Sequence, residues 1–207
     1  MLVEDHDTRG VVSGLMGHHI VWGKDESSWP VMIEVCDGGD DVLEQKYLKQ
    51  KLKESGLKAI GLIVDAEDDL VGRWDAVRTL LINVGGRPPK RCQLGGYIEA
   101  IKGKQVGVWI MPDNKTDGMV ENFCRELVPD DGKNLWNYAV KCAEEAKAKY
   151  NAPYTTQHTP KANIYTWLAW QDPPGLKMGQ ALTAKILHHG TDEAKAFVEW
   201  FKKLFGV

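Results

Sequence analysis

Three groups of acids in this sequence could do chemistry together. The first is Glu4-Asp5-His6-Asp7, directly after the apolar Leu2-Val3. The second is Asp65-Ala66-Glu67-Asp68-Asp69, directly after Ala59-Ile60-Gly61-Leu62-Ile63-Val64. The third is Asp113, just past an apolar run ending in Met111-Pro112, with Glu121 further on. Carboxylates brought together repel, and burying them unpaired is expensive. A hard divalent cation such as Mg2+ or Mn2+ resolves the conflict, because it takes oxygen ligands, keeps several waters and bridges to phosphate oxygens. One such ion, or a pair about 4 Å apart, can activate water and stabilise a leaving oxygen. Taken singly, each group has a plainer account as a helix cap or a solvated loop. Their recurrence at three strand ends points instead to metal-assisted phosphodiester chemistry.

The elements must bring those strand ends together. Ala59 to Val64 is apolar at every position, as in a central strand buried on both faces. Asp65 follows it directly and is the firmest candidate ligand; Asp68 and Asp69 suit caps of the next helix. The pattern predicts helices over about Arg9–Met16, Asp41–Ser55, Leu70–Asn83 and Gly118–Leu127. It predicts further helices over Asn134–Tyr150, Lys161–Gln171, Gly179–His188 and Asp192–Leu204. His18–Trp22, Val31–Cys36, Tyr97–Lys102 and Gln105–Met111 read as strands. Asp37-Gly38-Gly39-Asp40 reads as a turn that can cap the helix after it. Alternation of strand and helix implies an α/β fold with a mostly parallel sheet flanked by helices. Residues 1–130 form that α/β core, and 131–207 form a helical region packing on it. Ligands of open α/β sheets bind beyond the carboxyl ends of the strands. Neighbouring strands would therefore converge their acids on one edge.

Composition narrows the partners. The chain has 207 residues, 43% hydrophobic and 27% charged, which suits one globular unit. Its formal net charge of −3 is unlike that of proteins that bind nucleic acid through the backbone alone, so any such contact is local or metal-bridged. No apolar run is long enough to span a membrane, and the start has no basic or apolar leader. Cys36, Cys92, Cys124 and Cys142 form no CxxC pair. Reduced thiols in the cytoplasm are expected rather than a zinc site or a disulfide scaffold.

In this order the acids resemble the Toprim domain, the fold shared by topoisomerases, bacterial primases, small ribosomal-RNA maturases and the overcoming-lysogenization-defect (OLD) nucleases. Leu2-Val3-Glu4-Asp5-His6-Asp7 is similar to its first motif, with Glu4 at the glutamate and Asp7 at the following acid. Ile63-Val64-Asp65-Ala66-Glu67 is similar to its Asp-x-Asp, with Glu67 at the second aspartate. Asp5 stands where the pattern has a glycine. More closely, nearly the whole chain resembles a small uncharacterised bacterial family of Toprim-like, OLD-related proteins. The carrying segments are Gly61 to Ala66, Arg73-Trp74, Val108 to Asn114, Gly118 to Phe123, and His158 through Lys161 to Gln171 with Pro174-Gly175.

The resemblance implies a Toprim-like, Rossmann-like core and a Mg2+- or Mn2+-dependent nuclease acting on DNA or RNA. It makes Glu4 a ligand or general base and Asp65 and Glu67 ligands. Glu121 becomes the additional glutamate of OLD-type nucleases, and Lys161 a stabiliser of phosphate charge. The alternative is a non-catalytic Toprim-like module that binds a protein partner such as an ATPase, as in some phage-defence systems. A homodimer is compatible with either. The chain is too short for a topoisomerase and lacks the zinc motif of a primase.

Other residues were weighed beside these. Arg73, Lys115 and His158 are candidate phosphate contacts, although surface pairing is the plainer account of Arg73 and Lys115 and a polar cap explains His158 equally simply. Trp167, Leu168 and Trp170 could stack bases, but their helical spacing suits a core better. His18-His19 and His188-His189 are adjacent pairs, poor chelates, and read as structural or surface residues. Phe197, Trp200, Phe201, Leu204 and Phe205 give the last helix an apolar face to lay on the body.

Overall fold

The computed structural model describes residues 1–36 and 41–207; the turn expected at Asp37-Gly38-Gly39-Asp40 lies outside the described residues. Among them, a five-stranded sheet runs in the order β2-β1-β3-β5-β4. The strands are β1 (Leu2–Val3), β2 (Glu34–Val35), β3 (Ala59–Asp65), β4 (Tyr97–Ile101) and β5 (Lys104–Met111). β2, β1, β3 and β5 are parallel, and only the edge strand β4 runs antiparallel, paired with β5. The helices are α1 (His6–Met16), α2 (Gln45–Lys51), α3 (Leu70–Val84), α4 (Val120–Glu126), α5 (Lys133–Tyr150), α6 (Thr159–Leu168), α7 (Met178–Thr183) and α8 (Asp192–Phe205). The fold is therefore α/β, a mostly parallel sheet flanked by helices.

The continuous apolar run of β3 follows from its place between β1 and β5. Successive side chains of a strand point to opposite faces. Leu2, Leu62, Val64, Val108 and Ile110 enter one buried layer with Trp74, Val77 and Leu81 of α3 and Leu48 of α2. Val3, Ile63, Trp109 and Met111 enter the other, with α1, α4 and the helices of 131–207. Within that second layer α8 lies directly on β3 and β5. Gly61 and Gly107 are paired across the two strands, and a Cβ at either would meet Leu204 at 3.1 or 2.5 Å. The missing side chains make the hollow that Leu204 fills. α1 and α7 also cross closely: a Cβ on Gly14 would lie 2.4 Å from the Gly179 carbonyl oxygen.

Several elements differ from expectation. His18–Trp22 is not a strand. The amides of His18, His19 and Ile20 donate back to Leu15 and Met16, so this segment finishes α1 in turns instead of pairing with the sheet. Only Glu34–Val35 of the Val31–Cys36 run pairs, because β1 offers it only Leu2 and Val3. The helix expected over Asp41–Ser55 divides into a short 3-10 turn over Asp41–Leu43 and α2. α1 starts at His6, ahead of Arg9, because Asp5 caps it by accepting from the Thr8 amide at 2.7 Å. Asp7 thus belongs to the first turn of a helix and not to the end of a strand.

Candidate functional site

The parallel order β1-β3-β5 makes neighbours of the strand ends that carry acids. Glu4, one residue beyond β1, reaches across to β3, where its Oε2 accepts from the Asp65 amide at 3.1 Å. Asp65, the last residue of β3, reaches toward the loop after β5, and its Oδ1 accepts from the Val120 amide at 3.1 Å. Val120 opens α4, so the next residue, Glu121, is carried into the same edge and is only 4% exposed. Asp5 and Asp7 enter from the amino end of α1, where the helix dipole favours negative charge.

Two cations bracket these carboxylates. The Arg73 guanidinium, in α3, lies 3.8 Å from Glu4 and 3.5 Å from Glu67. Lys161 Nζ, in α6, lies 2.9 Å from Asp7 and 3.7 Å from Glu121. Tyr165, one turn further along α6, donates its hydroxyl to Asp7 at 3.1 Å. The acids still outnumber the cations. Burial pushes the Glu4 carboxyl up to about 7, with Glu67 and Asp5 adding to it, against the pull of the Asp65 amide and Arg73. Burial, then Glu4, Glu121 and Asp5, hold Asp65 well above the usual carboxylate range. Burial also raises Glu121, although Lys161 opposes it. Burial works against the charge of Lys161, yet Asp7, Glu121 and Asp5 outweigh it and lift its pKa. Glu4 Oε1 is buried and makes no hydrogen bond.

The loops beneath the site are joined. Glu67 takes a left-handed backbone, φ 55°, and its amide donates to the Gly118 carbonyl at 2.9 Å. Asp117 accepts from the Leu70 amide at 2.8 Å, so the loop after β5 caps α3. Asp69 caps the same helix from its own loop, as its position suggests, by accepting from Gly72 at 2.8 Å.

Glu4, Asp65, Glu121, Asp7, Lys161, Arg73 and Glu67 are thus brought together, Glu67 at the exposed rim. Asp113 is not. Its Oδ1 accepts from the Lys115 and Thr116 amides and the Thr116 hydroxyl, which ties it into its own turn. Lys115 and His158 are exposed; His158 precedes α6 and makes no side-chain cap. Trp167 and Leu168 are core, whereas Trp170 is 42% exposed against Tyr138. Sequence reasoning did not single out Tyr165 or give Asp5 a role. The Lys161/Tyr165 spacing, one helical turn, was the available signal for the first. For the second, Asp5 followed by Thr8 in a helix start was the signal. The backbone at Asp5 is extended, φ −149°, so this position needs no glycine.

Among the described residues, no three His, Cys, Asp or Glu side chains stand ready to hold a metal ion, and Arg73 and Lys161 face four of the carboxylates here. A second polar group sits at the far end of α1. His18 stacks on His189 at 4.3 Å, with His19 and His188 beside them. His18 Nε2 lies 2.8 Å from the Leu182 carbonyl and His19 Nε2 2.9 Å from the His189 carbonyl. The two histidine pairs, expected to be structural or surface residues, thus meet each other across 170 residues of chain.

Fold and site together define an α/β protein with a carboxylate group at the carboxyl edge of its parallel strands. Within that class the chain belongs to the DUF3226 family, described as proteins of unknown function, whose model matches residues 1–206. No curated protein and no solved structure matches it.

Proposed function

We propose that this edge is a Toprim-like site for Mg2+- or Mn2+-dependent phosphodiester hydrolysis, and that the protein is a nuclease. The observation that carries the reading is Glu4. Its carboxylate has one oxygen buried without a hydrogen bond, beside the buried Asp65 and within a group of like charges. Arg73, 3.8 Å from that oxygen, offsets only part of the charge, and a divalent cation would offset the rest. The donors are all carboxylate oxygens, the set preferred by hard divalent ions. Glu4, Asp65 and Glu121 would hold the ion. When bound, it would supply an activated water and neutralise charge on the phosphate and the leaving oxygen.

The rest is the work of the chain itself. Glu4, with its carboxyl near 7, can exchange a proton close to neutral pH as a general base. Lys161, kept charged by Asp7, stands where it can meet phosphate oxygen. Arg73 holds Glu4 from the other side and can add a second positive contact. The α1 cap fixes Asp7, and through it Lys161.

Calorimetry with Mg2+ and Mn2+, and cleavage of labelled single- and double-stranded DNA and RNA, test this together. Binding that Asp65→Ala removes, with cleavage that follows it, is the expected result. A second reading is favoured by the two ion pairs: a charge-compensated, non-catalytic Toprim-like module for a protein partner. Intact folding with no metal binding would favour that module and end the nuclease reading.

A further inference from the structure

The chain carries a net charge of −3, yet its positive charge is not spread evenly. Residues 45–58 hold five lysines and a single acid, Glu54. Lys46, Lys49 and Lys53 are exposed and border one open hollow with Gln45 and Gln50. Their spacing of three and four keeps them on one face of α2 and the turn after it. Lys58 and Lys102 extend the group. Lys104 Nζ donates to the Glu54 and Leu57 carbonyls at 2.7 and 2.8 Å, which ties the β4–β5 turn to this segment, and Lys58 and Lys102 stand exposed beside that tie. Among the described residues, none of Lys46, Lys49, Lys53, Lys58 and Lys102 pairs with a carboxylate. Lys51 takes the acids at hand, Glu34 at 2.6 Å and Glu54 at 3.4 Å.

This face lies away from the carboxylate group. Gln45 donates to the Asn83 carbonyl in the last turn of α3, whose first turn is at the acid edge. β3 runs from Ala59 at the lysines to Asp65 at the acids, about 20 Å for a strand of that length. Charges so far apart are screened at physiological salt, where the Debye length is about 8 Å. The carboxylates therefore hardly oppose an anion on α2. Charge complementarity asks for a polyanion, and the side chains presented decide which kind. A protein interface is anchored by apolar and aromatic side chains and is poor in lysine. A helix that holds a membrane adds a broad apolar face to its lysines. Here Leu48 and Leu52 are buried, and no large apolar side chain of residues 45–58 is exposed. Ammonium groups and amides are what α2 offers, and these meet phosphate and sugar oxygens without an apolar core.

We infer that the lysine face of α2, continued by Lys58 and Lys102, binds the sugar–phosphate backbone of nucleic acid at a site separate from the carboxylate edge. The inference goes beyond the nuclease reading, since it stands on the lysines and not on the acids. It supplies the local contact that a chain of net negative charge needs to hold a polyanion. Contacts of this kind carry no base sequence information, so the face holds DNA or RNA of any sequence.

The test separates this face from the metal site. The full chain is titrated into labelled single-stranded and duplex DNA over a salt series, once in EDTA and once with Ca2+ to neutralise the acid edge, and binding is read by fluorescence anisotropy. Binding is expected in both, and with five phosphates met its constant on a single strand should fall about a hundredfold between about 50 and about 200 mM salt. Lys46→Gln/Lys49→Gln/Lys53→Gln should lower the slope of log K on log salt by about 2 and weaken low-salt binding at least about tenfold. Lys46→Arg/Lys49→Arg/Lys53→Arg should keep the binding, and both triple variants should keep the wild-type melting temperature. Lys141→Gln/Lys185→Gln/Lys195→Gln removes as much charge from exposed positions elsewhere and should change binding no more than about twofold. Asp65→Ala should bind DNA as wild type does. Absence of low-salt binding overturns the inference, as does equal loss in the two glutamine triples or indifference to both. Polyglutamate or phosphatidylserine vesicles bound as tightly as DNA by the same lysines would also overturn it, in favour of an acidic protein or a membrane. If Mn2+ still binds through Asp65 in those cases, the metal-site reading survives without this face. If the lysines hold DNA but Mn2+ does not bind, the face stands and the nuclease reading falls.

Discussion

α1 joins two crowded polar groups. Its amino end carries Asp5 and Asp7 to Glu4, Asp65 and Glu121; its carboxyl end runs into His18 and His19, which meet His188 and His189. Both ends pack like groups against like, but at neutral pH they relieve it in different ways. Imidazoles can be neutral there, donate to carbonyls and stack, as His18 and His19 do. Carboxylates forced together can only hold protons more tightly or recruit cations. The histidine end is therefore complete with its own chain, while the acid end is stable only in part. That asymmetry separates a structural joint from a candidate site in this fold, and it can be broken at several points.

The strongest blow is Asp65→Ala. If the edge is the proposed nuclease site, cleavage should fall by a factor on the order of a thousand, since a metal ligand would supply several kcal/mol of transition-state stabilisation. In EDTA the same variant should melt higher than wild type, because a buried, repelled carboxylate is gone. A variant that is both inactive and less stable without metal would mean that Asp65 serves the fold.

The pH dependence comes next. Glu4 titrates near 7 when folded and near 4.5 otherwise. Between those values the folded chain holds a proton that the unfolded chain has lost. Stability should therefore fall as pH rises through this window, by about 3 kcal/mol once pH exceeds 7. Urea unfolding in EDTA at pH 5.5 and 8 measures it, and Glu4→Gln or saturating Mn2+ should flatten the slope. A slope unchanged by Glu4→Gln would remove Glu4 from the account.

Between the two ends lies the α1–α7 crossing. Gly14→Ala drives a methyl toward the Gly179 carbonyl and should cost about 1–3 kcal/mol in denaturant unfolding, with metal binding weakened only in proportion. Loss of metal binding without loss of stability would show that the crossing aims Asp7 directly.

The smallest effect belongs to the histidines. Burial, then His18, His19, His188 and Lys185, lower the pKa of His189 below its usual 6.5. Here the unfolded chain takes the proton first, so stability is lost as pH falls through 6.5, opposite in sign to Glu4. His189→Ala should cost about 1 kcal/mol at pH 8 through the lost stack, and less at pH 5.5. An equal cost at both would deny the joint any dependence on neutral rings.

What was legible in the sequence follows the range of the contacts. β3 announced itself because burial on both faces demands an apolar residue at every position, and Asp65 came with it. Helices with strong apolar faces, such as α8 with Phe197, Phe201 and Leu204, were legible for the same local reason. Which acids turn inward was not. Asp113 is spent on its own turn while Glu121 is carried inside by α4, a distinction made by loop geometry after β5. Nor could spacing reveal the meeting of His19 and His189, 170 residues apart in the chain, since only the folded layers set it. The strand expected at His18–Trp22 failed because His18 to Ile20 turn back onto the end of α1 and Val21 faces solvent, an outcome that alternation does not distinguish.

The bond between Glu67 and Gly118 has a mechanical meaning. With Asp117 fastened to the first turn of α3, it couples the two loops that carry the rim and the approach to Glu121, so that a shift in one is felt in the other. Beside this tie two hollows border the acids, the groove beside His6 and Asp7 and the cleft beside Glu121.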